Sequence, residues 1–262
     1  MEKAGRMNVA TNRKKILVAL MGFVVLFLFY HVPEFLQIHF QKPLILVLEL
    51  GMLLFTLLAY YFGRQFHRNG FSLYGLFAFG QHSGNLVKGL LLGILIPLVA
   101  NLVPAWMGWS NISLRMDWMH LIPQILLFAL GTLLPSLAED ILTRGYLRAF
   151  WPEKWKLYWL VPVSAAVYVL NHIFRLGKPD VMLYLFVLGW LLMWSYYKTG
   201  TLWLTLGLHW GANMTYQFFA NLVENTSIHE TGLENYLLAA SYLFGFLLVF
   251  LLSCLHFFSL NK

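Results

Sequence analysis

The chain has 262 residues, of which 60% are hydrophobic and 11% charged, with a net charge of +7. A soluble domain carries about 25% charged residues, so this composition excludes an ordinary water-soluble protein and places the chain in a bilayer. No basic patch interleaved with aromatics accompanies the positive charge, which excludes nucleic-acid binding and leaves anionic lipid headgroups as the partner of the surplus.

Apolar runs long enough to cross about 30 Å of hydrocarbon as helices lie at roughly 16–33, 43–62, 88–107, 121–140, 157–173, 181–197, 201–223 and 235–258. The first follows basic residues as a signal peptide would. Its length of about 17 residues and the lack of a small-residue cleavage site identify it instead as a retained span. Backbone groups in lipid must be bonded within their own segment, and no segment shows the alternation of an outer-membrane barrel. The predicted fold is therefore all-α, a polytopic membrane bundle of about eight transmembrane helices. Stretches at about 63–87, 108–120 and 224–234 read as loops. With no internal repeat or low-complexity segment, residues 1–262 read as a single integral membrane domain. The single cysteine, Cys254, lies in the last run, excludes an intrachain disulfide and reads as a small core residue.

Orientation follows from the 18 Lys and Arg residues, since positive charge is retained on the cytoplasmic side. With the N-terminus inside, the inner segments hold Lys3, Arg6, Arg13, Lys14, Lys15, Arg64, Arg68, Lys88, Arg144, Arg148, Lys154, Lys156, Lys198 and Lys262, leaving Lys42, Arg115, Arg175 and Lys178 outside. Both termini are expected in the cytoplasm.

Within this apolar chain three polar clusters stand out: Glu139-Asp140-x-x-x-Arg144, Tyr168-x-x-x-His172 and His209-x-x-x-Asn213. An ionisable group in hydrocarbon costs on the order of 2.5–3.5 kcal/mol even on lenient scales, so such residues face a partner or a watery cavity. Pro135 removes a helical hydrogen bond one turn before Glu139 and loosens the chain there. Asp140 and Arg144 share a helix face and can pair, which gives Arg144 a structural role, while Glu139 projects about 100° away. A lone Glu in such a pocket is the candidate general base. His172 and His209 can bind a metal, orient a water or stabilise an oxyanion, with Asn213 one turn beyond His209. Tyr168 reads first as packing for its ring. Glu49 has no evident partner and is assigned no catalysis. His31, His39, His67, His82, His120, His229 and His256 fall near run ends or in loops, where a solvated imidazole needs no special account. No H-E-x-x-H motif occurs, although His229-Glu230 begins like one, and there is no G-x-S-x-G elbow.

These clusters, in this order, resemble the three-motif signature of the CAAX protease and bacteriocin-processing family, also called the Abi family, which includes the type II CAAX prenyl endopeptidases. The run from Leu188-Gly189-Trp190 through Tyr197-Lys198-Thr199-Gly200-Thr201-Leu202-Trp203 into Leu208-His209 is similar to the family's approach to its third motif. The resemblance covers about Leu133 to Phe218, within a catalytic core at about 121–223. It implies that Glu139 activates a water, that His172 and His209 bind or polarise it, and that Asn213 stabilises an oxyanion. Asp140 stands where the family usually has a second Glu; a side chain one methylene shorter keeps its pairing with Arg144 but puts contact with the reaction centre in question. Metal use stays open, because the set could coordinate Zn through His172 and His209 or hold a water without it.

By the run boundaries, Glu139 and His172 would lie about 23 Å apart in depth. Extending the fourth span toward Arg148 and starting the fifth near Pro162 brings the clusters together and predicts a water-filled cavity open to the cytoplasmic side. The expected function is an intramembrane endopeptidase of a bacterial or archaeal plasma membrane, acting on a membrane-associated peptide or protein. The alternatives are a non-catalytic binding or regulatory protein, such as a bacteriocin-immunity factor, and a transporter, which the lack of two matched broken-helix halves disfavours.

Overall fold

In the computed structural model, which describes residues 13–41, 45–152, 154–228 and 232–258, every expected apolar run contains a helix. These are α1 (Arg13–Phe40), α2 (Ile45–Arg64), α3 (Phe79–Trp106), α4 (Trp118–Asp140), α6 (Leu160–Asn171), α7 (Pro179–Thr199), α8 (Trp203–Leu222) and α9 (Glu234–Cys254), with a four-residue α5 (Tyr146–Ala149) continuing α4. The chain is a polytopic helical membrane protein.

Six helical stretches are long and apolar enough to cross a bilayer: Arg13–Phe40, Leu46–Arg64, Phe79–Trp106, Trp118–Ala149, Pro179–Thr199 and Glu234–Cys254. Of the eight expected spans, six are thus long and apolar enough by length and composition, and two fall short of that measure. The run at 157–173 yields only a short apolar piece, Leu157–Asn171. The run at 201–223 yields α8, 20 residues long, whose apolar character is diluted by Thr205, His209, Asn213, Thr215, Gln217 and Asn221. Both bring polar side chains to the interior.

All three regions expected as loops carry structure. Helix α3 begins at Phe79, inside the expected 63–87 loop, because polar residues at its start, His82 and Asn85, turn into the protein and are buried. The other two loops contain β1 (Ser110–Leu114) and β2 (Val223–Ser227), which pair antiparallel with Ser110 opposite Ser227. The pairing holds the α3–α4 and α8–α9 connections together at one end of the bundle.

The tightest helix pair is α3 with α8, and glycine explains it. A Cβ on Gly89 or Gly93 would collide with the Leu204 or Leu208 carbonyl, and one on Gly207 or Gly211 with that of Leu86 or Leu90. Small residues four apart on both helices let the backbones touch, which is how helices associate where lipid removes the hydrophobic drive. His209 is carried between two of these contacts. The core has two apolar clusters, one containing Ala138 and Ile141, the other Tyr168 and Leu208. The polar clusters lie where they meet.

Candidate active site

Helix α4 does not stop at Asp140. It passes through one π turn, Ile141–Gly145, and resumes as α5, with the Tyr146 N–H bonded to the Ile141 carbonyl five residues back. This is the extension toward Arg148 that a shared site requires. π turns free backbone groups and recur at functional sites, and here the freed groups are met locally: Thr143 Oγ1 donates to the Glu139 carbonyl at 2.7 Å, and Ser164 Oγ of α6 donates to the Thr143 carbonyl at 2.8 Å. The second contact fixes the antiparallel register of α4 and α6, so the C-terminal end of α6 falls beside Glu139. His172 is the residue that closes α6.

The roughly 100° between successive helix side chains separates the two carboxylates. Glu139 is buried and accepts from Asn171 Nδ2 at 2.9 Å through Oε1. The same oxygen lies 3.6 Å from His172 Nδ1, and its other oxygen lies 3.5 Å from His209 Nε2. Asp140 Oδ1 accepts from Arg144 Nη1 at 2.6 Å and from His209 Nδ1 at 3.0 Å. Arg144 is completely buried, its guanidinium 4.5 Å above the Tyr168 ring. The imidazole of His209 thus bridges the two acids, with Asp140 fixing its Nδ1–H and Nε2 turned to Glu139.

That orientation has a protonic consequence. With Nδ1 donating to Asp140, neutral His209 presents an Nε2 lone pair to a carboxylate, and two acceptors at 3.5 Å require a shared proton or a donor between them. The Tyr168 hydroxyl, 3.4 Å from Nε2, is one donor in reach. His172 donates its Nδ1–H to the Tyr168 carbonyl at 2.8 Å, leaving its own Nε2 free. Tyr168 is more than packing: its ring walls the pocket, 4.8 Å from the His172 ring and 5.8 Å from that of His209.

The fold therefore brings Glu139, Asp140, Arg144, Tyr168, His172 and His209 together. Asn213 stands one turn along α8, where Nδ2 donates to Ser136 Oγ at 2.9 Å. Two groups that sequence reasoning passed over also reach the site. Asn171 touches Glu139 directly, and His31, expected at the end of the first span, is buried and bonded to Asn171. Helix α1 runs on to Phe40, which puts His31 inside it. His229 and Glu230 lie outside the described residues.

Exposure around the site is uneven. On the Ala149 side, Ile141, Leu142, Thr143 and Arg144 are all buried and close the approach. On the other side the His172 side chain is 19% exposed, and Glu34 beyond it is 44% exposed. At the far end of α4, the hydrogen bond from the His120 ring holds the exposed helix-capping Asp117 below the usual carboxylate range.

An imidazole that donates its Nδ1–H to a carbonyl or a carboxylate keeps Nε2 available to a metal. Nδ1 of each imidazole is committed in this way, to the Tyr168 carbonyl and to Asp140, while among the described residues no group of three or more His, Cys, Asp or Glu is disposed to hold an ion. No step below is routed through one.

A polytopic helical membrane protein with a buried Glu, two imidazoles and an amide in one cluster is the class that fold and site define. Residues 121–215 match the family model of the Type II CAAX prenyl endopeptidase Rce1-like proteins, so this part of the chain is similar to that family. Every side chain of the three sequence clusters lies within the match, whereas His31 lies outside it. Comparison with curated proteins and with solved structures gives no match.

Proposed function

We propose that this protein is an intramembrane endopeptidase that hydrolyses a peptide bond of a membrane-associated substrate with a water activated by Glu139. The observation that carries the reading is the buried Glu139 carboxylate within 3.6 Å of both His172 and His209. The Glu139 carboxylate takes a proton from a water whose oxygen attacks the scissile carbonyl carbon, giving a tetrahedral oxyanion. The proton then passes to the amide nitrogen as the C–N bond breaks, leaving a carboxylic acid and an amine. General base catalysis of this kind contributes about 10²–10⁴-fold.

His209, oriented by Asp140, and His172 polarise the water and stabilise developing charge. Asn213 has two amide N–H groups, one given to Ser136, and the second serves the oxyanion. Asp140 and Arg144 act by holding His209 rather than by touching substrate.

The basic residues Arg13, Arg64, Arg148, Lys156 and Lys198 lie at helix ends that the antiparallel packing gathers at one end of the bundle. This supports the cytoplasmic assignment of that end and of both termini. The uneven burial around Glu139 supports approach from the opposite flank, past His172.

Cleavage of a quenched-fluorescence membrane-peptide library by purified protein tests the reading. Loss of at least about 100-fold in Glu139→Gln and in His209→Ala, with thermal unfolding still cooperative, is the expected result. Wild-type protein that is folded yet cleaves nothing, or a Glu139→Gln variant with full activity, overturns it.

A further inference from the structure

The group nearest Glu139 is neutral. Asn171 Nδ2 donates to Oε1 at 2.9 Å, and both side chains are buried. A carboxamide fits its space almost equally well in either of two orientations, because its oxygen and nitrogen are nearly isosteric. With the oxygen turned to Glu139, two acceptors would face each other and the carboxylate would lose its partner. The choice is made by α1: His31 Nε2 lies 3.1 Å from Asn171 Oδ1, and since an amide oxygen only accepts, the imidazole donates.

His31 is held for this task. Its ring is 4.3 Å from that of Phe27 and 5.0 Å from that of Tyr30, and the residue is 5% exposed. Its Nδ1 has no hydrogen-bond partner among the described residues; the nearest acid is Glu34, at 4.0 Å. Packing would be satisfied by any flat apolar ring, so a buried imidazole with one nitrogen spent on Asn171 points to the hydrogen bond as its purpose. Tyr30, the preceding residue, turns its phenol to the same carboxylate.

We infer that His31 is a positioning residue for Glu139: by donating to Asn171 Oδ1 it locks the carboxamide with Nδ2 on Oε1, and so holds the carboxylate between the two imidazoles. The inference rests on Glu139 being the catalytic base. It gives α1, which lies outside the 121–215 match, a direct part in the chemistry.

Four variants of the full chain test it with the peptide reporter: His31→Leu, His31→Gln, Asn171→Leu and the His31→Leu/Asn171→Leu pair. A hydrogen bond between neutral groups, such as that from His31 to Asn171, is worth up to about 10-fold in rate where it positions the reacting group. His31→Leu is expected to lower kcat about 10-fold with KM nearly unchanged, and His31→Gln, which keeps an amide donor, to recover most of it. The double variant is expected to be no worse than Asn171→Leu alone, since coupled residues are not additive. A wild-type kcat in His31→Leu, multiplying losses in the double variant, or a glutamine as poor as leucine would make His31 a packing residue and overturn the inference. Should the leucine variant fail to fold, His31→Phe keeps the ring without the donor and carries the same expected loss.

An infrared readout separates this idea from the proposed activity. The Glu139 carboxylate band, assigned by its disappearance in Glu139→Gln, is expected to shift in His31→Leu and to stay in place in His31→Gln. An unshifted band overturns the positioning role whatever the protein cleaves. A shifted band in a protein that cleaves nothing leaves the clamp standing and the peptidase reading refuted.

Discussion

Glu139 and Asp140 are neighbours in sequence with opposite surroundings, and the proposed division of duties follows from them. Asp140 is spent on Arg144 and His209 at 2.6 and 3.0 Å; Glu139 meets an amide, two imidazoles and the Tyr30 phenol, all uncharged or exchangeable partners. A completely buried Arg–Asp pair is costly to break from one side, because the survivor keeps its charge without a partner. Arg144→Ala should therefore destabilise the protein by about 3–5 kcal/mol, and the Asp140→Asn/Arg144→Met double variant by clearly less, as read from unfolding in a mixed detergent. Equal losses would show that Arg144 contributes bulk rather than charge. The charged members of this site were legible in sequence because ionisable residues in an apolar run need a reason to be there. Asn171 was not, since an uncharged amide within a span excites no suspicion, and His31 was masked by ending the first span at 33. The signals that could have found them are the Asn171-His172 dipeptide and the His31-x-x-Glu34 spacing. Both put two polar groups on one short stretch of helix.

At the scale of elements, hydropathy locates the helices and fails at what joins and bends them. The π turn at Ile141–Gly145 leaves no mark in residue type, though Pro135, nearly two turns earlier, pointed to a loosened backbone. Strands β1 and β2 are only five residues each and rich in Ser, Asn and Thr, so they read as loop; their pairing across more than a hundred residues is a tertiary fact. The contact between α3 and α8 was readable, as Gly89-x-x-x-Gly93 and Gly207-x-x-x-Gly211, but only to a search for small residues rather than for polar ones. It matters because α8 carries His209. Gly93→Leu and Gly207→Leu must push the helices apart, and displacement of a catalytic group by about 1 Å can cost 10²-fold. Each is expected to lose about 100-fold in cleavage, whereas Gly80→Leu, with nothing within 4 Å of its Cβ position, should retain wild-type activity. A Gly207→Leu protein of full activity would mean that the α3–α8 contact does not position the site.

At the scale of the whole molecule the remaining question is which side of the membrane reaches Glu139. Helix α4 with its continuation covers Trp118–Ala149, 32 residues, or about 48 Å, which exceeds the hydrocarbon thickness. Glu139 is ten residues, about 15 Å, from the Ala149 end and 21 residues, about 32 Å, from the Trp118 end, and the charge distribution bears on the orientation of the bundle without fixing the entrance. Burial differs on the two sides: Ile141 to Arg144 are buried toward Ala149, whereas on the other side Arg175 is exposed and the Glu34 side chain is 44% exposed, which favours approach from there. Single cysteines test both statements in cells, in a Cys254→Ser background because that thiol is exposed. Cysteines at Lys156 and Lys198 should react with a membrane-impermeant maleimide only after the membrane is opened, and those at Arg115 and Lys178 before. A cysteine at Glu34 should behave like the second pair and react more slowly when a bound peptide substrate covers the site. If it instead reacts only from the side of Lys156, the entrance lies at the basic end, and the seal formed by Ile141 to Arg144 must open for the substrate to reach Glu139.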